Sequence, residues 1–212
     1  MVKKADIPDH MIDTAMKLAA EGRWRDLSLA EIAEAAKLPI SKVTPVYASR
    51  QAILDAFVRR IDAAVLAESD SEDLEGSARD RLFDVLMRRF DALDPYKDAV
   101  ATVAFDQVRD PLAALASACH LRRSMALMLE AAGLASGGAR GVLRIKGVAL
   151  IYLAALRVWL RDESEDKSAT MAALDKQLRR AEALILRLPR GLGARRRPGS
   201  EAGETGGAAA EA

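Results

Sequence analysis

One cysteine, two histidines and 4% aromatic residues are all that this 212-residue chain spends on the side chains that most often carry chemistry. Lone Cys119 rules out an internal disulfide, and beside the small, mostly apolar residues 115–118 it is expected to be a buried small residue in a reducing cytoplasm. His10 and His120 stand in no metal-ligand spacing such as HExxH. As sequence neighbours on a helix, Cys119 and His120 point to different faces, so no metal site is expected. The sequence contains no GxSxG, Walker loop or GxGxxG. Its acids Asp162, Glu163, Glu165 and Asp166 fall between two helical stretches and read as a charged, capping connector. Neither an enzyme activity nor a cofactor is predicted. No sign of charge dominates, with 32 basic against 31 acidic residues and a net charge of +1, which argues against a broadly basic, non-specific nucleic-acid binder. Runs of β-branched residues are short, and an apolar set dominated by Ala and Leu favours helix over sheet. The N-terminus, MVKKADIPDH, lacks an apolar signal core. The most apolar stretch, residues 142–160, is broken by Arg144, Lys146 and Arg157, whereas a membrane span needs about 20 mostly apolar residues.

What the chain does have is a soluble globular composition, 50% hydrophobic and 30% charged, long enough for a substantial core. Within it, residues 28–54, SLAEIAEAAKLPISKVTPVYASRQAIL, fit two short helices and the start of a third into a window of helix-turn-helix size. Ser28 is placed to cap a helix starting at Leu29, with Glu31 bonding back to it and Leu27 stapling against Ile32. Ile32, Ala33 and Ala36 form an apolar stripe of small residues that lets another helix cross closely, and Pro39 is suited to open the next helix. That second helix carries Ser41, Lys42 and Thr44 outward and Val43 and Val46 inward, and a third helix begins near Ser49. Three-helix modules of this kind read the major groove of DNA.

The run resembles the DNA-binding domain of the tetracycline-repressor (TetR) family. Ser28, Ile32, Ala33, Ala36, Tyr47, Arg50, Ile53 and Leu54 fit the pattern of that domain. Met11, Ala15, Leu18 and Ala19 supply the buried face of its first helix, and Gly22, Trp24 and Leu27 follow where the family has Gly, an aromatic and an apolar residue. The resemblance covers about the first 65 residues. It implies an all-α, dimeric protein with a small N-terminal helix-turn-helix domain and a larger helical domain for ligand binding and dimerisation. The DNA-facing residues are then Ser28, Lys37, Ser41, Lys42, Thr44, Tyr47 and Arg50. Departures fall on the reading helix. Lys37 replaces the turn Gly, Pro39 a capping Ser, Lys42 a Thr, Thr44 a Tyr and Val46 a His. Pro45 would cost about 3 kcal/mol inside a helix, so the reading helix is predicted to end near Thr44. Residues 37–50 contain three basic residues, Lys37, Lys42 and Arg50, and no acid.

Beyond Leu54 the periodicity predicts long helices. The domains are expected at residues 1–48 for the helix-turn-helix, 49–68 for a connecting helix and 76–189 for the helical domain, with a disordered, Gly- and Ala-rich tail at 190–212. Within the helical domain, helices are predicted at 79–93, 96–108, 111–132, 142–160 and 168–188, with GLASGGARG at 133–141 as a connector. An apolar pocket is expected among Leu82, Phe83, Leu86, Phe90, Val103, Phe105, Met125, Met128, Leu129 and Tyr152. Because no ionisable pair is evident among these residues, the ligand is expected to be hydrophobic. The resemblance implies a homodimer built by the last two helices, with Leu150, Leu153, Val158, Trp159, Leu174, Leu178, Ala181 and Ile185 as interface candidates.

Residues 152–178 carry a second resemblance, to the C-terminal region of lipid-binding accessory proteins of coenzyme Q (ubiquinone) biosynthesis, a family with a TetR-like fold that has lost DNA recognition. Trp159, Leu160, Asp162, Ser164, Glu165, Thr170, Leu174 and Asp175 follow its order, while Met171 stands where that family tends to have Trp. The first expectation is thus a cytoplasmic transcriptional regulator that binds a double-stranded DNA operator as a dimer and answers to a hydrophobic small molecule or lipid. The alternative is a lipid-binding accessory protein with a hydroxylase partner and peripheral membrane contact through its last helix.

Overall fold

The computed structural model describes residues 6–68, 76–107, 109 and 111–187, without the side chains of residues 112, 113 and 184–187. The described residues form α-helices joined by short turns and one 3-10 turn, with no strand among them. The chain is all-α, as the sequence predicts.

Helix α1 (Ile7–Ala20) buries Met11, Ile12, Ala15, Met16 and Ala19. Helix α2 (Leu29–Ala35) starts where the capping box places it. The Ser28 hydroxyl accepts the Glu31 backbone N–H at 3.2 Å, and the Glu31 carboxylate accepts the Ser28 N–H at 2.8 Å. Its end is a Schellman turn, with Leu38 N–H bonding the Ala33 carbonyl and Lys37 N–H that of Glu34, both at 2.9 Å. This turn puts Lys37 at φ 56°, the left-handed region that favours glycine. Helix α3 (Ile40–Val43) is a single turn. Pro45 supplies no N–H to continue it, and the Val46 and Tyr47 N–H groups close onto the Val43 carbonyl instead, each at 2.9 Å. Val46, predicted to point inward, is exposed, because the chain leaves the helix before reaching it.

Helix α4 (Arg50–Ala67) is capped by Ser49 and continues out of the N-terminal three-helix module into the larger helical assembly. That assembly comprises α5 (Ala78–Leu93), a 3-10 turn (Asp94–Tyr96), α6 (Lys97–Gln107), α7 (Pro111–Ala131), α8 (Gly138–Trp159) and α9 (Ser168–Arg187). Helix α8 begins four residues earlier than periodicity suggests, so Gly138 to Gly141 belong to its first turn rather than to the connector. There a Cβ on Gly141 would lie 2.0 Å from the Ser136 carbonyl oxygen, which explains a glycine inside a helix. The helix predicted over 96–108 is α6, and only its first residue, Tyr96, belongs instead to the preceding 3-10 turn of Asp94–Tyr96. The tail at 190–212, with Arg195 to Arg197, and most of the acidic segment after α4 lie outside the described residues.

Helix α4 packs against α5 and α7, α7 against α8, and α9 against α8 and α5, while α1 rests on α6. Arg60 of α4 secures this last contact. Its guanidinium bonds Asp13 of α1 at 2.7 Å and the Tyr96 hydroxyl at 3.0 Å. One continuous apolar core therefore runs from Met11 through Phe57 to Phe90 and Trp159.

Candidate nucleic-acid interface and core of the helical domain

Of the residues expected to face DNA, Ser28, Lys37, Ser41, Lys42 and Thr44 are exposed. Tyr47 and Arg50 are not available in that way. Tyr47 is only 6% exposed, and its hydroxyl donates to the Pro8 carbonyl at 3.4 Å. Arg50 turns back under the module. Its Nη1 donates to the carbonyls of Trp24 and Arg25 at 2.6 Å each and of Leu27 at 3.0 Å, with the guanidinium carbon 5.3 Å from the centre of the Trp24 ring. The loop between α1 and α2 has carbonyls with no helical partner, and the two N–H groups of Nη1 are shared among three of them. Both residues therefore build the module rather than its outward face. Ser28 is also committed, since its hydroxyl donates to Glu31 Oε2 at 2.7 Å. Hydrogen bonds from the Ser28 backbone and side chain, in that order, hold the Glu31 carboxyl below its ordinary pKa. The remaining outward groups are Lys37, Ser41, Lys42 and Thr44, alongside the exposed apolar side chains Ile40 and Val46. Such a face can contact phosphates and thymine methyl groups.

Eight of the expected pocket residues, Leu82, Leu86, Phe90, Val103, Met125, Met128, Leu129 and Tyr152, are buried, and Phe83 is half-buried. Phe90 stacks on Tyr152 with ring centres 5.3 Å apart and leans on Trp159 at 5.7 Å. Phe105 does not join them. It is 61% exposed, with the Arg109 guanidinium 3.6 Å from its ring centre, so its side of α6 faces away from the core. Cys119 is likewise exposed, on the outer side of α7, rather than buried. Its neighbour His120 turns to α4 and meets Asp55 at 2.9 Å. The layer of pocket candidates is closed. Surface pockets of about 500 and about 470 Å3 lie elsewhere, one between α8 and α9 beside Arg157 and Asp162, the other between α1 and the 3-10 turn.

An ionisable pair outside the expected pocket residues lies against this layer. Asp62 of α4 and Arg89 of α5 are both 4% exposed and form an ion pair, to which Ser124 of α7 adds a hydroxyl donating to the same Asp62 oxygen at 2.5 Å. The Arg89 guanidinium carbon is 5.4 Å from the centre of the Tyr152 ring. Desolvation works against the Arg89 charge, but Tyr152 and Asp62 outweigh it and raise its pKa above the ordinary value. Both charged residues were findable in the sequence. Asp62 follows Ile61 on the buried stripe that also carries Phe57 and Val65, and Arg89 stands between Leu86 and Phe90 at positions that face a core.

The dimer candidates divide. Leu150 and Leu153 are exposed, together with Val142 and Leu143 of the same helix, and Val158 and Ala181 are half-buried. Trp159, Leu174 and Leu178 are buried within the chain itself and cannot meet a partner. Trp159 is fully enclosed, its indole N–H donating to Asp94 at 3.3 Å. The side chain of Ile185 lies outside the described residues. Asp162 is the cap of α9 that the acidic connector suggests. Its carboxylate accepts the backbone N–H and hydroxyl of both Ser164 and Thr170, and Lys97 donates to its backbone carbonyl. Desolvation opposes its charge, but these hydrogen bonds hold the carboxyl far below the usual carboxylate range. Among the described residues, no group of three or more His, Cys, Asp and Glu is placed to hold a metal ion. No helix there is long and apolar enough to cross a membrane.

No family model matches the sequence, and no curated protein does. Solved structures do match. The crystal structure of a TetR transcriptional regulator from Nitrosomonas europaea ATCC 19718 superposes with a TM-score of 0.69 at 24% sequence identity, over 84% of this chain and 98% of that one. The helices α1 to α9 thus assemble in the TetR-like fold.

Proposed function

We propose that this chain is a transcriptional regulator that binds operator DNA as a homodimer and releases it when a small molecule with a largely apolar body enters the helical domain. The observation that carries this reading is the outward face of the helix-turn-helix. Lys37, Ser41, Lys42 and Thr44 are exposed around a reading turn with no carboxylate between residues 37 and 50, in a chain where acids and bases are otherwise balanced. The likeness to a TetR regulator supports the reading through its fold. Exposed Val142, Leu143, Leu150 and Leu153 on α8 supply an apolar face for a second copy. Two copies would set their reading turns in successive major grooves, about 34–36 Å apart. An effector acts by favouring a different spacing of those heads.

A second reading, a lipid-binding accessory protein that no longer recognises DNA, draws support from the one-turn length of α3 and from Ile40 and Val46 standing exposed where polar contacts would serve DNA better. Substitution Lys42→Ala separates the two. Under the first reading it lowers affinity for DNA from the region upstream of the gene, with a shallower salt dependence. Under the second, wild-type and variant bind that DNA equally weakly, and apolar lipid co-purifies with both.

A further inference from the structure

We propose that Arg89 is the anchor for an effector that carries a carboxylate on an apolar body, and that capture of Arg89 by this group frees Asp62 and with it helix α4. The proposal rests on the regulator reading for the word effector, but the binding it describes does not need DNA. Four helices meet at this point, contributing Asp62 from α4, Arg89 from α5, Ser124 from α7 and Tyr152 from α8. Replacing such a buried pair by apolar residues is often neutral or stabilising, so its presence in an otherwise largely apolar core calls for a role beyond stability. The pair is also incompletely matched. Asp62 takes up Nη1 of Arg89, while Nε is the one buried side-chain nitrogen or oxygen without a hydrogen-bond partner among the described residues.

A guanidinium edge recognises a carboxylate through two parallel N–H donors, and Nε belongs to such an edge. Two carboxylates on one buried guanidinium would leave a net negative charge out of water, so an incoming carboxylate favours the departure of Asp62. The surroundings fit the rest of the ligand. Phe90, Tyr152 and Trp159 stack beside the cluster, and Ser124 shares α7 with buried Met125 and Met128, whose flexible side chains can repack around an apolar chain. The layer is closed here, and parting α4 from α5 and α7 is what would open it. Helix α4 also carries Arg50, which clamps the loop before α2, so a movement of Asp62 is passed directly to the reading module.

The test titrates the full chain, without DNA, with sodium decanoate and with decan-1-ol, following the heat of binding and, in a Trp24→Phe background, the fluorescence of enclosed Trp159. The expected result is saturable binding of decanoate at least tenfold tighter than of the alcohol. The double variant Asp62→Asn with Arg89→Met, which removes both charges and so avoids stranding one, binds the two compounds equally. Arg89→Lys, which keeps the charge but loses the planar edge, retains only part of the preference. Equal affinities in the wild type, no saturable decanoate binding, or a preference that survives in the double variant would overturn the proposal. Decanoate preference in a protein that fails to bind its upstream DNA would remove the regulator and leave the anchor standing. DNA binding without that preference would do the reverse.

Discussion

Arg50 and Lys42 stand eight positions apart in the reading module and are chemically similar, yet their surroundings assign them opposite work. Three backbone carbonyls converge on Arg50 Nη1, and removing it leaves them partly unsatisfied, so Arg50→Ala is expected to destabilise the chain by about 2–3 kcal/mol in urea unfolding. Lys42→Ala removes an exposed side chain with no partner among the described residues and is expected to change stability by less than about 0.5 kcal/mol. Lys37 contributes differently again. Its left-handed backbone is strained for any residue with a Cβ, and Lys37→Gly is expected to raise stability by up to about 1 kcal/mol, read as a higher unfolding midpoint, while weakening any phosphate contact that Lys37 makes. The spacing of residues 28–54 made the scaffold of this module legible because caps, staples and small crossing residues act locally. The inward turns of Tyr47 and Arg50 were not legible, since their partners are Pro8 and the 24–27 loop, which local pattern does not bring near.

At the scale of elements, α3 and α9 show how single residues set helix ends. Pro45 limits α3 to one turn, as the sequence foretells, because the missing N–H is a property of the residue alone. The start of α8 was hidden by the glycines of 137–141, which read as a connector until the close approach of Ser136 to Gly141 is seen. Helix α9 depends on Asp162, whose carboxylate collects four donors from Ser164 and Thr170. A carboxyl held below its unfolded pKa contributes stability that is complete above the ordinary carboxylate range and is lost as pH falls through that range toward the folded value. Asp162→Asn is therefore expected to lower stability at neutral pH and to flatten the loss between about pH 5 and pH 2, measured by urea unfolding across that window. An unchanged acid limb in the variant would assign that loss to other carboxylates. The Asp62–Arg89 pair belongs to this scale too. Each residue was visible on an apolar stripe, but their meeting depends on how α4 crosses α5, which periodicity does not specify.

For the whole molecule, the exposed apolar residues of α8 are the basis of the assembly we propose. Val142, Leu143, Leu150 and Leu153 leave a stripe uncovered on a helix whose sequence is apolar nearly all round, and a second copy is the cover we propose. Leu143→Glu combined with Leu150→Glu is expected to yield a folded monomer by sedimentation, with helicity retained and DNA affinity lost along with the paired reading heads. A dimer that persists in this variant would move the interface elsewhere. That Trp159, Leu174 and Leu178 are buried within the chain is not legible in the sequence, because an apolar stripe does not say whether it meets its own chain or another.

The central claim is that the outward face of the short reading turn still recognises DNA. Purified protein titrated against labelled fragments that include its own upstream region, over a series of salt concentrations and in excess random competitor, tests it most directly. We predict binding to one fragment that survives the competitor and weakens steeply as salt rises. Binding no tighter than to random DNA at every salt concentration would contradict the account.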